Sequence, residues 1–134
     1  GSRVEFLGWL DETELSGLLG RVRALVVASV PGRRPEGSSL SAVEAARHRR
    51  VVIGSDDPAV SEVVTSLGAG PVVPAGNVGV LAAALRDVLA NDEAVAAYAE
   101  AAAAGAQAHS IEAVTAATRE VYQQVLAGRP GSRA

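Results

Sequence analysis

Short apolar runs alternate with longer amphipathic segments along this chain. Residues 4–7, 24–29, 51–55 and 71–74 are runs of strand length, each ending near Gly, Pro, Ser or Asp, and they predict four β-strands. Continuous apolar runs of this kind are typical of strands buried in a parallel sheet. Prolines flank the 71–74 run, and proline cannot donate to a ladder of hydrogen bonds, so we expect this strand at a sheet edge.

Six helices are predicted between and after these strands. Asp11 is an expected N-cap with Glu14 as its capping-box partner, and Pro58 suits the first turn of a later helix. Strands that alternate with helices predict an α/β fold, a three-layer αβα Rossmann-like parallel sheet with right-handed crossovers and about four strands. The helices are expected over about 12–22, 39–47, 78–89, 92–108 and 111–125, with a further helix that begins at Pro58.

Two carboxylates flank a turn of small residues in the segment 35–45. Glu36 and Glu44 stand eight positions apart, and the turn between them opens a predicted helix directly after the 24–29 strand. The first turn of a helix has unpaired backbone N–H groups and the positive end of the helix dipole. A strand, a small-residue turn and a helix N-terminus therefore predict a site that can hold a phosphate group.

The role of Glu44 has two interpretations on spacing alone. Glu44 shares a row of helical positions with Leu40, Val43 and Arg47, a face expected to turn inward, where a carboxylate needs a hydrogen-bonding partner such as a ligand. Alternatively, Ser41 and Glu44 form a capping box, which requires the helix to start at Ser41. Both interpretations stay open at this stage.

Composition narrows the class of protein. The chain has 134 residues, a net charge of −3 and 49% hydrophobic residues, so we expect one globular domain and no nucleic-acid partner. It has no cysteine, which excludes disulfides and thiolate chemistry, and neither His48 nor His109 has a partner at metal-ligand spacing. No apolar segment approaches the ~20 residues of a transmembrane helix, and we expect a cytoplasmic protein.

Features near the start of the sequence indicate that this chain is a piece of a longer protein. The sequence contains no methionine, so Gly1 is not expected to be a natural start, and residues 1–2 are interpreted as a tag remnant. Residues 3–127 are expected to form a partial Rossmann-like domain, and residues 128–134 a flexible tail.

The segment from Glu36 to Glu44 resembles the Glu-x(7)-Glu motif of glycosyltransferase family 4, also called glycosyl transferases group 1, whose members have the two-domain GT-B fold. Residues 4–8 are similar to a family strand that ends in Phe-Leu-Gly. Residues 51–56 with Glu62-Val63-Val64 resemble the next strand and helix, and residues 70–74 resemble a Gly-x-Val-Val-Pro strand. The resemblance covers residues 4–89, in the C-terminal half of the GT-B fold.

The resemblance implies a retaining glycosyltransferase whose donor-binding half takes a nucleotide-diphosphate sugar, without a metal ion or another cofactor. It implies chemistry that depends on stabilising the leaving diphosphate more than on a protein nucleophile. It implies that Glu36 is the catalytic residue and contacts the hydroxyls of the donor sugar, and that backbone N–H groups of Gly37, Ser38 and Ser39 face the diphosphate. Glu44 would accept hydrogen bonds from the ribose hydroxyls. Leu40 would lie near the ribose and base, and Leu10 beside the nucleobase.

The resemblance also implies that upstream strands and an N-terminal acceptor-binding domain are missing, so the chain alone is expected to be inactive. We then expect an unpaired edge on the 24–29 strand, which must pair with residues 4–7, with a second copy or with a missing segment. A non-catalytic nucleotide-binding or interaction domain, and a sugar-nucleotide epimerase, are the alternative functions.

Three local features accompany this hypothesis. Arg49-Arg50-Val51 replaces the Gly-x-Pro of the family before the third strand, and Ser38-Ser39 replaces an aromatic residue and a glycine. Trp9 is expected in the core or in a cleft beside the base. Asp56 and Asp57 follow a strand, where capping of the next helix is favoured over magnesium binding.

Overall fold

A three-stranded parallel sheet forms the centre of the protein in the computed structural model, which describes residues 3–30, 32 and 39–128. Its strands are β1 (Ala24–Val27), β2 (Val51–Ser55) and β3 (Val72–Val73), in the order β1-β2-β3. Ala24 pairs with Val51, and Gly54 pairs with Val72. The short strand β3 lies at one edge of the sheet, which confirms the prediction from its flanking prolines.

Helices cover both faces of this sheet and extend beyond it. The described residues contain all six predicted helices, and a 3₁₀ turn at Gln107–His109 joins the last two. The predicted capping box at the first helix is confirmed, with the Asp11 carboxylate 2.9 Å from the Glu14 N–H. The helices are α1 (Glu12–Leu19), α2 (Leu40–Arg47), α3 (Pro58–Leu67), α4 (Val78–Ala90), α5 (Asp92–Ala106) and α6 (Ile111–Ala127).

Strand β2 divides the core into two layers because its side chains alternate across the sheet. Val52 belongs to a buried cluster with residues of α2, α3 and α5, whereas Val51 and Ile53 pack on the other side with α4 and α5. All five residues of β2 are buried, as a strand covered on both faces requires. The predicted αβα class is therefore confirmed.

The predicted fourth strand is wrong. Residues 4–7 belong to no helix or strand, and the side chains of Val4 and Phe6 are 63% and 94% exposed. An apolar run has a local preference for the extended state, but a strand forms only with a hydrogen-bonded neighbour. The sheet of the described residues has three strands and does not include this segment, so β1 lies at its other edge.

Helix α6 carries the predicted apolar stripe but buries none of it. None of its side chains is buried, and Val121 and Tyr122 are 58% and 67% exposed. Among the described residues, no helix is both long enough and apolar enough to cross a bilayer. The expected tag remnant at 1–2 and most of the expected tail, residues 129–134, lie outside the described residues.

Candidate functional site

The candidate site lies where the carboxyl ends of the three strands meet, the edge at which open α/β sheets bind their ligands. Strand β1 ends at Val27, and the chain then runs to the start of α2 at Leu40. The predicted site residues Glu36, Gly37 and Ser38 lie outside the described part of this connection. Ser39, Leu40 and Glu44 are described.

The N-terminus of α2 differs from the other helix starts in how its backbone is capped. Ser39 is the N-cap and is only 1% exposed, but its side chain makes no cap hydrogen bond and its Oγ lies 3.3 Å from the Oγ of Ser41. The N–H groups of the first turn therefore receive no bond from this side chain. The other five described α-helices are each capped by an N-cap side chain, from Asp11, Asp57, Asn77, Asn91 and Ser110.

The face of α2 that holds Glu44 turns only partly inward. The expectation of an inward face is right for Val43, which packs against the buried cluster of α2, α3 and α5, and wrong for Leu40. Leu40 is 76% exposed and the Glu44 side chain is 43% exposed. Small residues instead form the buried face of α2, and they let the helix pack closely against its neighbours. These residues are Ala42, Ala45 and Ala46.

The capping-box interpretation of Glu44 is also wrong. Because Ser39 is the N-cap, the third helical position is Ala42 and not Glu44. The carboxylate of Glu44 instead approaches the next turn, where its Oε1 lies 3.5 Å from Nε2 of His48. Glu44 and Leu40 stand one turn apart on this partly exposed face of α2.

The two aspartates after β2 both accept backbone hydrogen bonds. Asp57 is the buried N-cap of α3, and its Oδ1 lies 3.1 Å from the Ala59 N–H. Asp56 holds the loop after β3, since its Oδ1 lies 2.8 Å from the Ala75 N–H. Capping is therefore confirmed for Asp57. No cluster of three or more potential metal ligands occurs within the described ranges.

A cleft with a volume of about 190 Å³ opens at the same edge of the sheet. Residues from the ends of all three strands line it, together with the start of α4. None of its described lining side chains is charged. Its inner wall includes Ser55, which is 2% exposed and whose hydroxyl has no hydrogen-bond partner among the described residues. A buried polar group without a partner is costly and uncommon.

Comparison with known proteins decides the family. A family model described as "Glycosyl transferases group 1" matches residues 1–105, which span the sheet and most of its helices. The chain belongs to the group 1 glycosyl transferases. No curated protein gives a significant match. The family expected from the Glu-x(7)-Glu motif is thereby confirmed.

Two other predicted contacts of this group 1 chain lie before α1. Leu10 is half-buried next to the Asp11 cap, and no described hydrogen bond or ion pair links it to α2. Trp9 is 95% exposed, so its expected place in the core was wrong. Trp9 is exposed for the same reason as Val4 and Phe6: the segment that carries them is not part of the sheet, so its side chains do not reach the core.

Sequence reasoning missed Ser55 at the candidate site of this group 1 glycosyl transferase. The only signal was its position as the last residue of a buried strand, where ligand-contacting groups collect in α/β sheets. A single serine produces no recognisable sequence motif. That its hydroxyl lacks a hydrogen-bond partner among the described residues becomes visible only from the positions of the surrounding atoms in the structure.

Proposed function

We propose that this chain is the donor-binding part of a retaining glycosyltransferase and that its donor is a nucleotide-diphosphate sugar. The observation that carries the proposal is the start of α2, which comes after strand β1 and receives no cap hydrogen bond from the side chain of its N-cap residue Ser39. Unpaired N–H groups at a helix start bind anions such as a diphosphate, assisted by the helix dipole.

The residues around this helix start support a division of roles. Glu44 presents a half-exposed carboxylate one turn further on, at a place where it can accept hydrogen bonds from the two ribose hydroxyls. Leu40 offers exposed apolar surface on the same face for the ribose and base. The membership in the family supports Glu36 as the sugar contact, Gly37, Ser38 and Ser39 as diphosphate donors, and Leu10 beside the base.

The chemistry proposed for this site is stabilisation of the leaving group. Cleavage of the sugar–phosphate bond leaves charge on the diphosphate, and fixed N–H dipoles aimed at that charge lower the barrier without reorganising water. This role needs no metal ion or cofactor. In this proposal the chain by itself binds the donor and does not transfer the sugar.

Calorimetric titration with UDP, GDP and ADP tests the proposal, with this chain and with the natural full-length protein. One of the three diphosphates is expected to bind. Glu44→Ala is expected to lower its affinity about ten- to a hundred-fold, because the lost bonds to the ribose are worth about 1–3 kcal/mol. Glu120→Ala is the matched control, since Glu120 is an exposed helical carboxylate on α6.

Two results would reject this function. The first is a natural full-length protein that binds none of the three diphosphates. The second is a Glu44→Ala variant that binds as tightly as Glu120→Ala does. Binding without any transfer by the natural full-length protein would instead favour the non-catalytic nucleotide-binding alternative.

A further inference from the structure

A second cavity, with a volume of about 340 Å³, lies where the end of α2 meets the end of α5 and the start of α6. Helix α2 begins after the carboxyl end of β1 and ends at Arg47, shortly before the amino end of β2. Its two ends therefore lie at opposite edges of the sheet. Ser39 and Arg47 are separated by about 12 Å along the helix axis, so this cavity is separate from the start of α2.

The polar side chains that line this cavity can all donate hydrogen bonds. Arg47 and Arg49 each contribute a guanidinium, which donates and never accepts, and the amide of Gln107 donates as well. The Ser110 hydroxyl accepts a bond from the Ala113 N–H, and its own hydrogen remains available. No described lining side chain is acidic. The remaining lining residues are small: Ala103 and Ala106.

The positive charge at this cavity is only partly neutralised. Arg47 makes no hydrogen bond or ion pair with another described residue. Arg49 donates to the carboxylate of Glu100, but a guanidinium has five N–H donors. Arg50 donates to two carbonyl groups and not to a carboxylate. In a chain with a net charge of −3, this local excess of positive charge favours an anionic ligand.

The backbone at Arg49 indicates that its side chain has a use beyond stability. Its φ angle of 59° is left-handed, a conformation that glycine adopts at little cost and other residues do not. The bond to Glu100 is exposed, and exposed ion pairs stabilise a protein only weakly. Strained residues of this kind cluster at binding sites, where function retains them against stability.

We propose that this cavity binds the phosphate group of a small polar ligand between Arg47 and Arg49. A planar guanidinium can give two parallel N–H bonds to such a group, and two guanidinium groups at one cavity favour a doubly charged anion. The volume is within the range of small-molecule sites and exceeds that of a free phosphate ion. The ligand is therefore a phosphate ester, whose polar remainder meets Gln107 and Ser110.

Glycerol 3-phosphate is a suitable probe, titrated into this chain at constant ionic strength and followed by calorimetry and phosphorus NMR. Saturable binding is expected, and added sodium chloride should weaken it because salt screens exposed charges. Glycerol without the phosphate should not bind. Inorganic phosphate should compete with the ester and bind more weakly, since it lacks the polar remainder.

Two arginine variants locate the binding site. Arg47→Gln should weaken binding of the ester at least about tenfold, and so should Arg49→Gly. Arg49→Gly should also unfold at a higher urea concentration than the unmodified chain when no ligand is present, because glycine suits the left-handed backbone. Arg86→Gln is the matched control, since Arg86 is exposed on α4 and does not line the cavity. It should bind like the unmodified chain.

Vesicles separate the two sources of a phosphate ester, a soluble molecule and a lipid headgroup. The chain is sedimented with phosphatidylcholine vesicles that contain or lack phosphatidic acid. Sedimentation that requires phosphatidic acid and is lost in Arg47→Gln would assign the phosphate group to a lipid. Binding of glycerol 3-phosphate without any such sedimentation would assign it to a soluble ester.

Three results would overturn the proposal. One is the absence of saturable binding of glycerol 3-phosphate. Another is binding that Arg47→Gln and Arg49→Gly leave unchanged, which would mean that the phosphate lies elsewhere. A third is equal weakening in Arg47→Gln and Arg86→Gln, the result expected of general charge attraction. The proposed function is tested separately, because its titrations use nucleoside diphosphates and Glu44→Ala.

Discussion

The guanidinium of Arg49 donates a hydrogen bond to the carboxylate of Glu100, which connects the end of α2 to α5. Arg49 has a φ angle of 59°, the only positive value of a non-glycine residue in the described ranges. The left-handed conformation costs most residues about 1–2 kcal/mol. The ion pair is exposed on both sides, and such pairs contribute at most about 1 kcal/mol.

Replacement of Arg49 by glycine is therefore expected to stabilise the protein. Arg49→Gly relieves the left-handed strain, which outweighs the entropy that glycine adds to the unfolded state together with the loss of the exposed ion pair, and the net gain should be up to about 1 kcal/mol. Urea unfolding followed by circular dichroism measures it. Glu100→Gln removes the ion pair without changing the backbone and should cost less than about 0.5 kcal/mol. A clear loss of stability in Arg49→Gly would show that the ion pair dominates.

The close packing of α5 on α3 depends on Gly105. A Cβ atom on this residue would lie 2.6 Å from the carbonyl oxygen of Leu67, which is backbone and cannot move alone. Gly105→Ala should therefore destabilise the protein by about 1–3 kcal/mol in a thermal or urea melt. Gly17→Ala, in α1, meets nothing within 4 Å and should stabilise by up to about 1 kcal/mol. Equal effects of the two changes would contradict the assigned packing.

Asp57 is expected to act as a helix cap and not as a magnesium ligand. Asp57→Ala removes the bond to the Ala59 N–H and should cost about 1 kcal/mol, whereas Asp57→Asn retains an accepting oxygen and should cost a few tenths. Magnesium chloride should leave the melting temperature of the unmodified chain unchanged beyond the effect of matched sodium chloride. A specific rise with magnesium that Asp57→Asn abolishes would reverse this assignment.

The exposed face of α6 should contribute little to the stability of the isolated chain. Val125 is 56% exposed, so Val125→Ser should change the free energy of unfolding by less than about 0.5 kcal/mol. Leu67→Ala is the comparison, because Leu67 is 1% exposed and its truncation should cost about 2–5 kcal/mol. A large loss in Val125→Ser at high protein concentration alone would show that another copy covers this face.

The helices were predictable because each has a strong local signal. Asp11 with Glu14 marks the start of α1, and Pro58 after Asp57 marks the start of α3. Caps and first-turn prolines act within a few residues, so sequence alone contains their cause. The buried face of α2 was not predictable in this way, since the alanines that form it carry a weaker apolar signal than Leu40 and Val43.

The amino-acid sequence by itself determined the order of strands and helices, the parallel sheet and the family, because periodicity, caps and the Glu-x(7)-Glu spacing are local or linear properties. Only the tertiary structure decided three further features. It left residues 4–7 outside the sheet, left the Glu44 side chain half-exposed beside His48 and enclosed the Ser55 hydroxyl without a partner among the described residues. Each of these depends on which distant segment supplies a neighbour, and no local pattern encodes that neighbour.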